Sequence, residues 1–222
     1  MKKYITSVIL VIAVMFTFSS CKSQPDEEPS TQAEIISEIT VPHIPEVMGI
    51  SVSSALSLEN GIAGIVVVNN SARTLQYAEI KASFSGEIEH LYKVTTLPPG
   101  ESCIVAEENG ALYLDNSAGF FGYDISKEAY FTEEPSVHSD KFEFSGADGI
   151  INIKNISGTD ISENIVVYFK DYKDAQFTSG KTYRVTFNGG LAKDEIKQMP
   201  AEHYKNGESI IMFVQIVSAE VS

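Results

Sequence analysis

Residues 64–84 read GIVVVNNSARTLQYAEIKASF, and 85 positions further on residues 149–169 read GIINIKNISGTDISENIVVYF. At that spacing Gly64/Gly149, Ile65/Ile150, Asn70/Asn155, Thr74/Thr159, Ile80/Ile165 and Phe84/Phe169 are identical. Val66/Ile151, Val68/Ile153 and Ala82/Val167 are apolar in both copies. A recurrence at fixed spacing sets the architecture, because each copy encodes the same structural unit. Each copy predicts a strand, a turn built from Asn, Ser and Thr, and a second strand. In the first copy Ile80, Ala82 and Phe84 alternate with Lys81 and Ser83, so that strand has one buried and one wet face. The spacing makes Phe84 and Phe169 equivalent core residues, and Asn70 and Asn155 equivalent turn residues.

Working outward, the first module spans 46–125. Asn60-Gly61 marks a hairpin ahead of the strand 62–68. Leu97-Pro98-Pro99-Gly100-Glu101 holds two φ-locked prolines and a glycine, a turn that sends 103–106 back across the sheet. Residues 111–125 are expected to hold a closing strand and an irregular loop. A linker, SKEAYFTEEP at 126–135, leads to the second module, 136–222. There Tyr183-Arg184-Val185-Thr186 echoes Tyr92-Lys93-Val94-Thr95 at a spacing of 91, with the loop 171–181 longer than its counterpart. The apolar run 210–217, IIMFVQIV, predicts a strand buried on both faces. Short strands, regular turn signals and no tryptophan together predict an all-β chain of two tandem β-sandwiches.

The N-terminus is MKKYITSVILVIAVMFTFSSC. Two lysines, an apolar run over 5–18 and small residues have the layout of a secretory signal over 1–20. The run is shorter than the roughly 20 residues of a spanning helix. Phe18-Ser19-Ser20-Cys21 resembles the bacterial lipobox, which implies a lipid on Cys21; an ordinary signal peptide with an incidental cysteine is the alternative. Residues 21–45, rich in Pro, Ser, Gln and acids, read as a flexible tether. Lipidation of Cys21 leaves Cys103 with no intrachain partner, and Cys103 reads as a small buried hydrophobe. The formal net charge of −14 disfavours nucleic acid and a polybasic grip on lipid, so membrane attachment falls to the anchor. The implied location is the bacterial cell envelope, facing outside the cytoplasm.

The strand, the Asn-x-Ser/Thr turn, the alternating strand and the Pro-Gly-Glu turn resemble small immunoglobulin-like modules of bacterial surface lipoproteins, of the FxLYD type. The resemblance rests on 65–84 with 97–102 (LPPGES) in copy one, and on 150–171 in copy two. Copy two reads Phe169-Lys170-Asp171-Tyr172 after its second strand, where copy one has Phe84-Ser85-Gly86. What the resemblance implies is a pair of immunoglobulin-like sandwiches with a non-enzymatic role.

The four histidines, His43, His90, His138 and His203, show no paired metal-ligand spacing, and no cofactor is expected. Glu107-Glu108 and Glu133-Glu134 are neighbours, which on a strand point opposite ways. Asp171-Tyr172-Lys173-Asp174 lacks the glycine and terminal Glu of a calcium loop. Tyr113, Phe120, Phe121, Tyr123, Tyr130 and Phe131 cluster in sequence between the modules. They either form a platform for a protein or carbohydrate ligand or pack the module junction. The leading expectation is a non-enzymatic, lipid-anchored binding or scaffolding protein. The alternative is an envelope-polymer enzyme, or an accessory subunit of one, whose site would draw on Asp115, Glu133, His138, Asp171 and Asp174.

Overall fold

The computed structural model describes residues 49–84, 88–109 and 119–218, apart from the side chains of Asn60, Ile88 and Phe121. The expected signal and tether, Cys21, Tyr113 and Asp115 lie outside the described residues. Among the described residues all regular structure is strand except one 3-10 turn, and the strands fall into three sheets.

β1 (Ile50–Ser57) and β2 (Ala63–Asn69) form the antiparallel hairpin that Asn60-Gly61 predicts. Its connection is the 3-10 turn Glu59–Gly61, closed by Gly61 at φ 74°. β3 (Leu75–Phe84) pairs with β4 (Ile88–Leu97) on one side and β6 (Phe120–Tyr130) on the other. β5 (Ser102–Ala106) follows the Pro-Pro-Gly turn, with Gly100 at φ 76°, and pairs with β2. Strand alternation then decides which side chains meet. Ile65 and Val67 of β2 and Cys103 and Val105 of β5 share one buried cluster with Ile80, Ala82, Phe84, Tyr92 and Val94 of the other sheet.

The second half repeats this order. β7 (Phe142–Ala147), β8 (Ile150–Asn155) and β12 (Ile196–Pro200) form one sheet. β11 (Tyr183–Phe187), β9 (Asn164–Lys173) and β13 (Ser209–Val217) pair side by side in another. β7, β8, β9, β11, β12 and β13 thus stand as β1, β2, β3, β4, β5 and β6 do. Their cluster is separate, with Ile151, Ile153, Ile165, Val167, Phe169 and Phe187 buried in it. β10 (Gln176–Phe177) has no counterpart among the described residues of the first half.

The equivalence of Phe84 and Phe169 holds, each 2% exposed at the same point of its core. The equivalence of Asn70 with Asn155 does not. The partner of Asn155 is Asn69, one residue earlier, and both are fully buried. Asn69 Nδ2 donates to Arg73 O (2.9 Å) and Leu97 O (2.7 Å), and its Oδ1 accepts from Ser71 N (3.0 Å). Asn155 Nδ2 donates to Thr159 O (2.7 Å) and Leu191 O (3.1 Å), and its Oδ1 accepts from Ser157 N (3.0 Å). The repeat therefore runs at a spacing of 86 through the first strand and turn, and at 85 through the second strand. The Tyr-x-Val-Thr echo is also out of register. Ile80 faces Tyr92 and Ile165 faces Phe187, which places Tyr183 opposite the site of Ile88 rather than Tyr92.

Two further expectations change. β6 runs to Tyr130, into the stretch 126–135 expected as a linker, because β3 offers it a pairing edge that far. β13 is not buried on both faces: it hydrogen-bonds as a strand to β9 alone, and Ile210 and Val217 are exposed. Nor are the halves separate bodies. One seven-stranded sheet passes from β1-β2-β5 through β10 into β9, β11 and β13.

Candidate functional site

The junction is made by the loop that the second copy has and the first lacks. Asp174 and Ala175, at φ 51° and 61°, reverse the chain after β9. β10 then pairs antiparallel with β9 and parallel with β5, Phe177 standing opposite Cys103. The ring of Phe177 enters the first half's core, 3% exposed. Thr95 N donates to Gly180 O at 2.8 Å, and Gln176 Nε2 to Ser102 Oγ at 3.1 Å. A Cβ on Gly180 would lie 2.3 Å from Lys93 O, so only glycine permits this approach.

Beneath this loop lies Lys170, fully buried. Its outward neighbours on β9 would face water in an isolated module, but here the first half covers that face. Nζ donates to Thr95 O (2.5 Å) and Thr96 O (3.3 Å) and sits 5.4 Å from the Phe177 ring centre. Thr96 has a φ of 45°, a region that β-branched residues rarely adopt. Burial pushes the Lys170 ammonium below its ordinary value, with the Cys103 thiol and Asp171 pulling the other way. Burial likewise pushes the Cys103 thiol up, partly offset by Lys170. A thiol so held is protonated and enclosed, which is the state of a packing group rather than a nucleophile.

The second half carries a related contact with a different lysine. Gly190, at φ 65°, precedes Leu191 as Thr96 precedes Leu97, and Lys197 donates to Gly190 O and to Asn188 O (3.5 Å). Lys197 faces Ile153 across its ladder as Cys103 faces Val67. In the first half, then, a cysteine occupies the lysine's position, and the cation arrives from the other half.

Two recesses flank this junction. The larger, about 400 Å³, is bordered by Tyr77, Lys93, Glu107, Glu108, Gly180 and Tyr183 among others. Lys93 Nζ and Glu108 Oε2 are 3.3 Å apart in it. Tyr77 OH donates to Glu79 at 2.5 Å, and its pKa is pushed up to about 12, by burial first and then by that carboxylate. Glu107 and Glu108 do not point opposite ways as strand neighbours would, because β5 ends at Ala106 and both border this recess. Glu107 is buried, accepting from Asn109 N at 2.8 Å with His90 Nδ1 at 3.7 Å. The smaller recess, about 240 Å³, has Phe131, Tyr168 and Phe213 as its aromatic walls, with Gln76, Thr182 and Gln215 beside them.

The structure does not bring together the four sequence-clustered aromatics whose side chains it describes, Phe120, Tyr123, Tyr130 and Phe131. Phe120 packs 5.8 Å from Phe84 at one end of β6, with Tyr123 stacked 6.5 Å from it and 40% exposed. Tyr130 is at the other end, ten residues along and thus about 33 Å away. Arg73 lies 5.2 Å from its ring centre, and its hydroxyl donates to Glu128. Phe131 meets Phe213 at 5.4 Å in the smaller recess. Tyr113 and the side chain of Phe121 lie outside the described residues. Glu133, His138, Asp171 and Asp174 line neither recess. Burial pushes the Asp171 carboxyl up, and its Oδ1 finds no hydrogen-bond partner among the described residues. Among those residues no three His, Cys, Asp or Glu side chains converge as a metal ion requires.

Sequence reasoning missed Lys170, Tyr168 and Phe213. Tyr168 and Lys170 fall on outward positions of β9, where a lone ring or charge reads as solvated surface; Phe213 lies in the run 210–217, whose burial the sequence predicts, but nothing there points to its stacking on Tyr168. The available signal was the lengthened loop 171–181, which had to go somewhere. Comparison of the chain with protein families, with curated proteins and with solved structures found no match.

Proposed function

We propose that the chain is a non-enzymatic binding or scaffolding protein, anchored by lipid on Cys21 and facing outside the cytoplasm of a bacterial cell. We read each half as an immunoglobulin-like β-sandwich, with the first module extended to Tyr130. Supporting this are the repeated strand order, two strands flanking β2 or β8 and two flanking β3 or β9, and the separate core within each half. The observation that carries the binding reading is the junction. A dedicated loop and a buried lysine fix the two halves against each other, and two recesses open beside that fixed seam. Ligand sites favour such interfaces between units, where concave surface is held rigidly. The partners in this reading are a membrane, through the anchor, and a protein or carbohydrate, with nucleic acid disfavoured by the acidic charge.

Two measurements test it. Metabolic labelling with a lipid precursor is expected to tag the wild type and not Cys21→Ala; equal labelling of both refutes the anchor. Purified protein in detergent is expected to sediment with isolated cell-envelope material saturably, without releasing soluble sugars or peptides. Release of fragments refutes the non-enzymatic reading, and failure to sediment refutes the binding one.

A further inference from the structure

We infer that the recess walled by Phe131, Tyr168 and Phe213 binds one ring of a neutral saccharide. The inference rests on the binding reading above and adds the site and the ligand class. Tyr168 and Phe213 lie parallel, 9° apart with ring centres 4.2 Å apart, and Phe131 meets Phe213 edge-on at 71°. The rings form a corner assembled from three places: the residue after β6, the outward face of β9 and that of β13. Phe213 is buried and rigidly packed, while Tyr168 and Phe131 are half-buried. A pyranose presents flat C–H faces that suit an aromatic wall, and a rim of hydroxyls that needs neutral donors and acceptors. Two amides supply both kinds of group. Gln215 Oε1 accepts from Tyr168 OH at 2.9 Å, which orients the amide and leaves its NH2 to donate. The side chain of Gln76, on β3, has no hydrogen-bond partner among the described residues, so its amide is uncommitted.

Charge and size narrow the class. The chain carries a net charge of −14, yet no charged residue lines this recess. The nearest cation, Lys170, sits fully buried behind the Thr95 and Thr96 carbonyls that hold it, so a carboxylate or phosphate ligand would be desolvated without a counter-ion on the lining, at high cost. The larger recess differs in this respect, since Lys93 and Glu108 border it. A volume of about 240 Å³ admits one sugar ring rather than a drug-sized ligand. The walls are side chains on a sheet face, and the outer edge of β13 beside them is in part taken by the chain itself, Val214 N donating to Ser136 O at 2.8 Å, which leaves less of an edge for an extended peptide to pair with. At the weak efficiency usual for polar ligands, one ring of about a dozen heavy atoms binds with a Kd on the order of 1 mM.

The test uses the full lipidated chain in detergent micelles and saturation-transfer NMR. The probes are cellopentaose, maltopentaose and chitopentaose, with polygalacturonate and heparin as charged comparators. At least one neutral probe is expected to bind near the millimolar range, with Tyr168→Ala and Gln215→Ala each weakening it tenfold or more. Lys93→Ala, on the other recess, is expected to change it less than twofold. Circular dichroism checks each variant's fold; should Tyr168→Ala melt early, the exposed Gln215 decides. No neutral probe bound at about 10 mM, tenfold above that affinity, or charged polymers bound equally well, overturns the inference. Binding lost in Lys93→Ala but kept in Gln215→Ala also overturns it, moving the site to the charged recess. In each of these cases saturable sedimentation with envelope material still upholds the broader binding reading.

Discussion

Replacing Phe177 by alanine separates one cooperative body from two modules that merely touch. The residue belongs by sequence to the second half, yet its ring is 3% exposed inside the first half's core. It touches Tyr172 at a centroid distance of 5.0 Å and lies 5.4 Å from the Lys170 ammonium. Truncating a core Phe to Ala costs about 3–5 kcal/mol in lost transfer energy and residual cavity. Losing the ring beneath a desolvated ammonium adds about 1–2 kcal/mol. Total stabilities of native domains are about 5–15 kcal/mol, so the loss is about a quarter of the whole or more. Urea unfolding should show one transition at a lower midpoint with an unchanged slope. Hydrogen exchange read by mass spectrometry should show β2 and β5 losing protection, although the substitution lies far downstream of both. If β2 and β5 kept wild-type protection while only 164–217 loosened, the seam would carry no folding energy and the one-body reasoning would fail.

Two further outcomes follow from buried polar groups. Because the folded Lys170 sits below its ordinary value of 10.5, the unfolded chain binds more protons between the lowered folded value and 10.5. Lys170's own contribution to stability must therefore rise with pH through that window, against the fall that raised tyrosines such as Tyr77 and Tyr130 contribute near pH 10. Urea midpoints taken from neutral pH to about 10.5 in a Cys103→Ala background, which removes the competing thiol, should climb relative to those of the same chain carrying Lys170→Met; a difference that stays constant with pH would refute the assignment. Asn69→Ala and Asn155→Ala each strand one buried carbonyl, at least one part-buried carbonyl and a part-buried N–H, so each should cost about 2–3 kcal/mol. Asn70, whose Nδ2 donates only to Ser51 Oγ at 2.8 Å, should cost about 1 kcal/mol on truncation. Equal losses at 69 and 70 in chemical denaturation would restore the 85-residue register.

The duplication, the all-β class, the Pro-Pro-Gly turn and the burial of Phe84, Phe169 and Cys103 were all legible in the residues. Each depends on interactions a few positions apart: strand alternation, turn chemistry and the matching of one copy with another. The one-residue shift from Asn70 to Asn69 was not legible, because two adjacent asparagines look alike until a buried carbonyl selects one. The junction was legible only as a surplus of loop at 171–181. Alternation places Tyr168 and Lys170 on a wet face, and it is correct for an isolated module. Only the tertiary structure decided that the face is covered, because covering it depends on where a distant strand, β5, leaves an edge for β10. Long-range pairing of that kind is set by complementary surfaces rather than by local sequence, so both the lysine cradle and the aromatic corner came into view only with the fold.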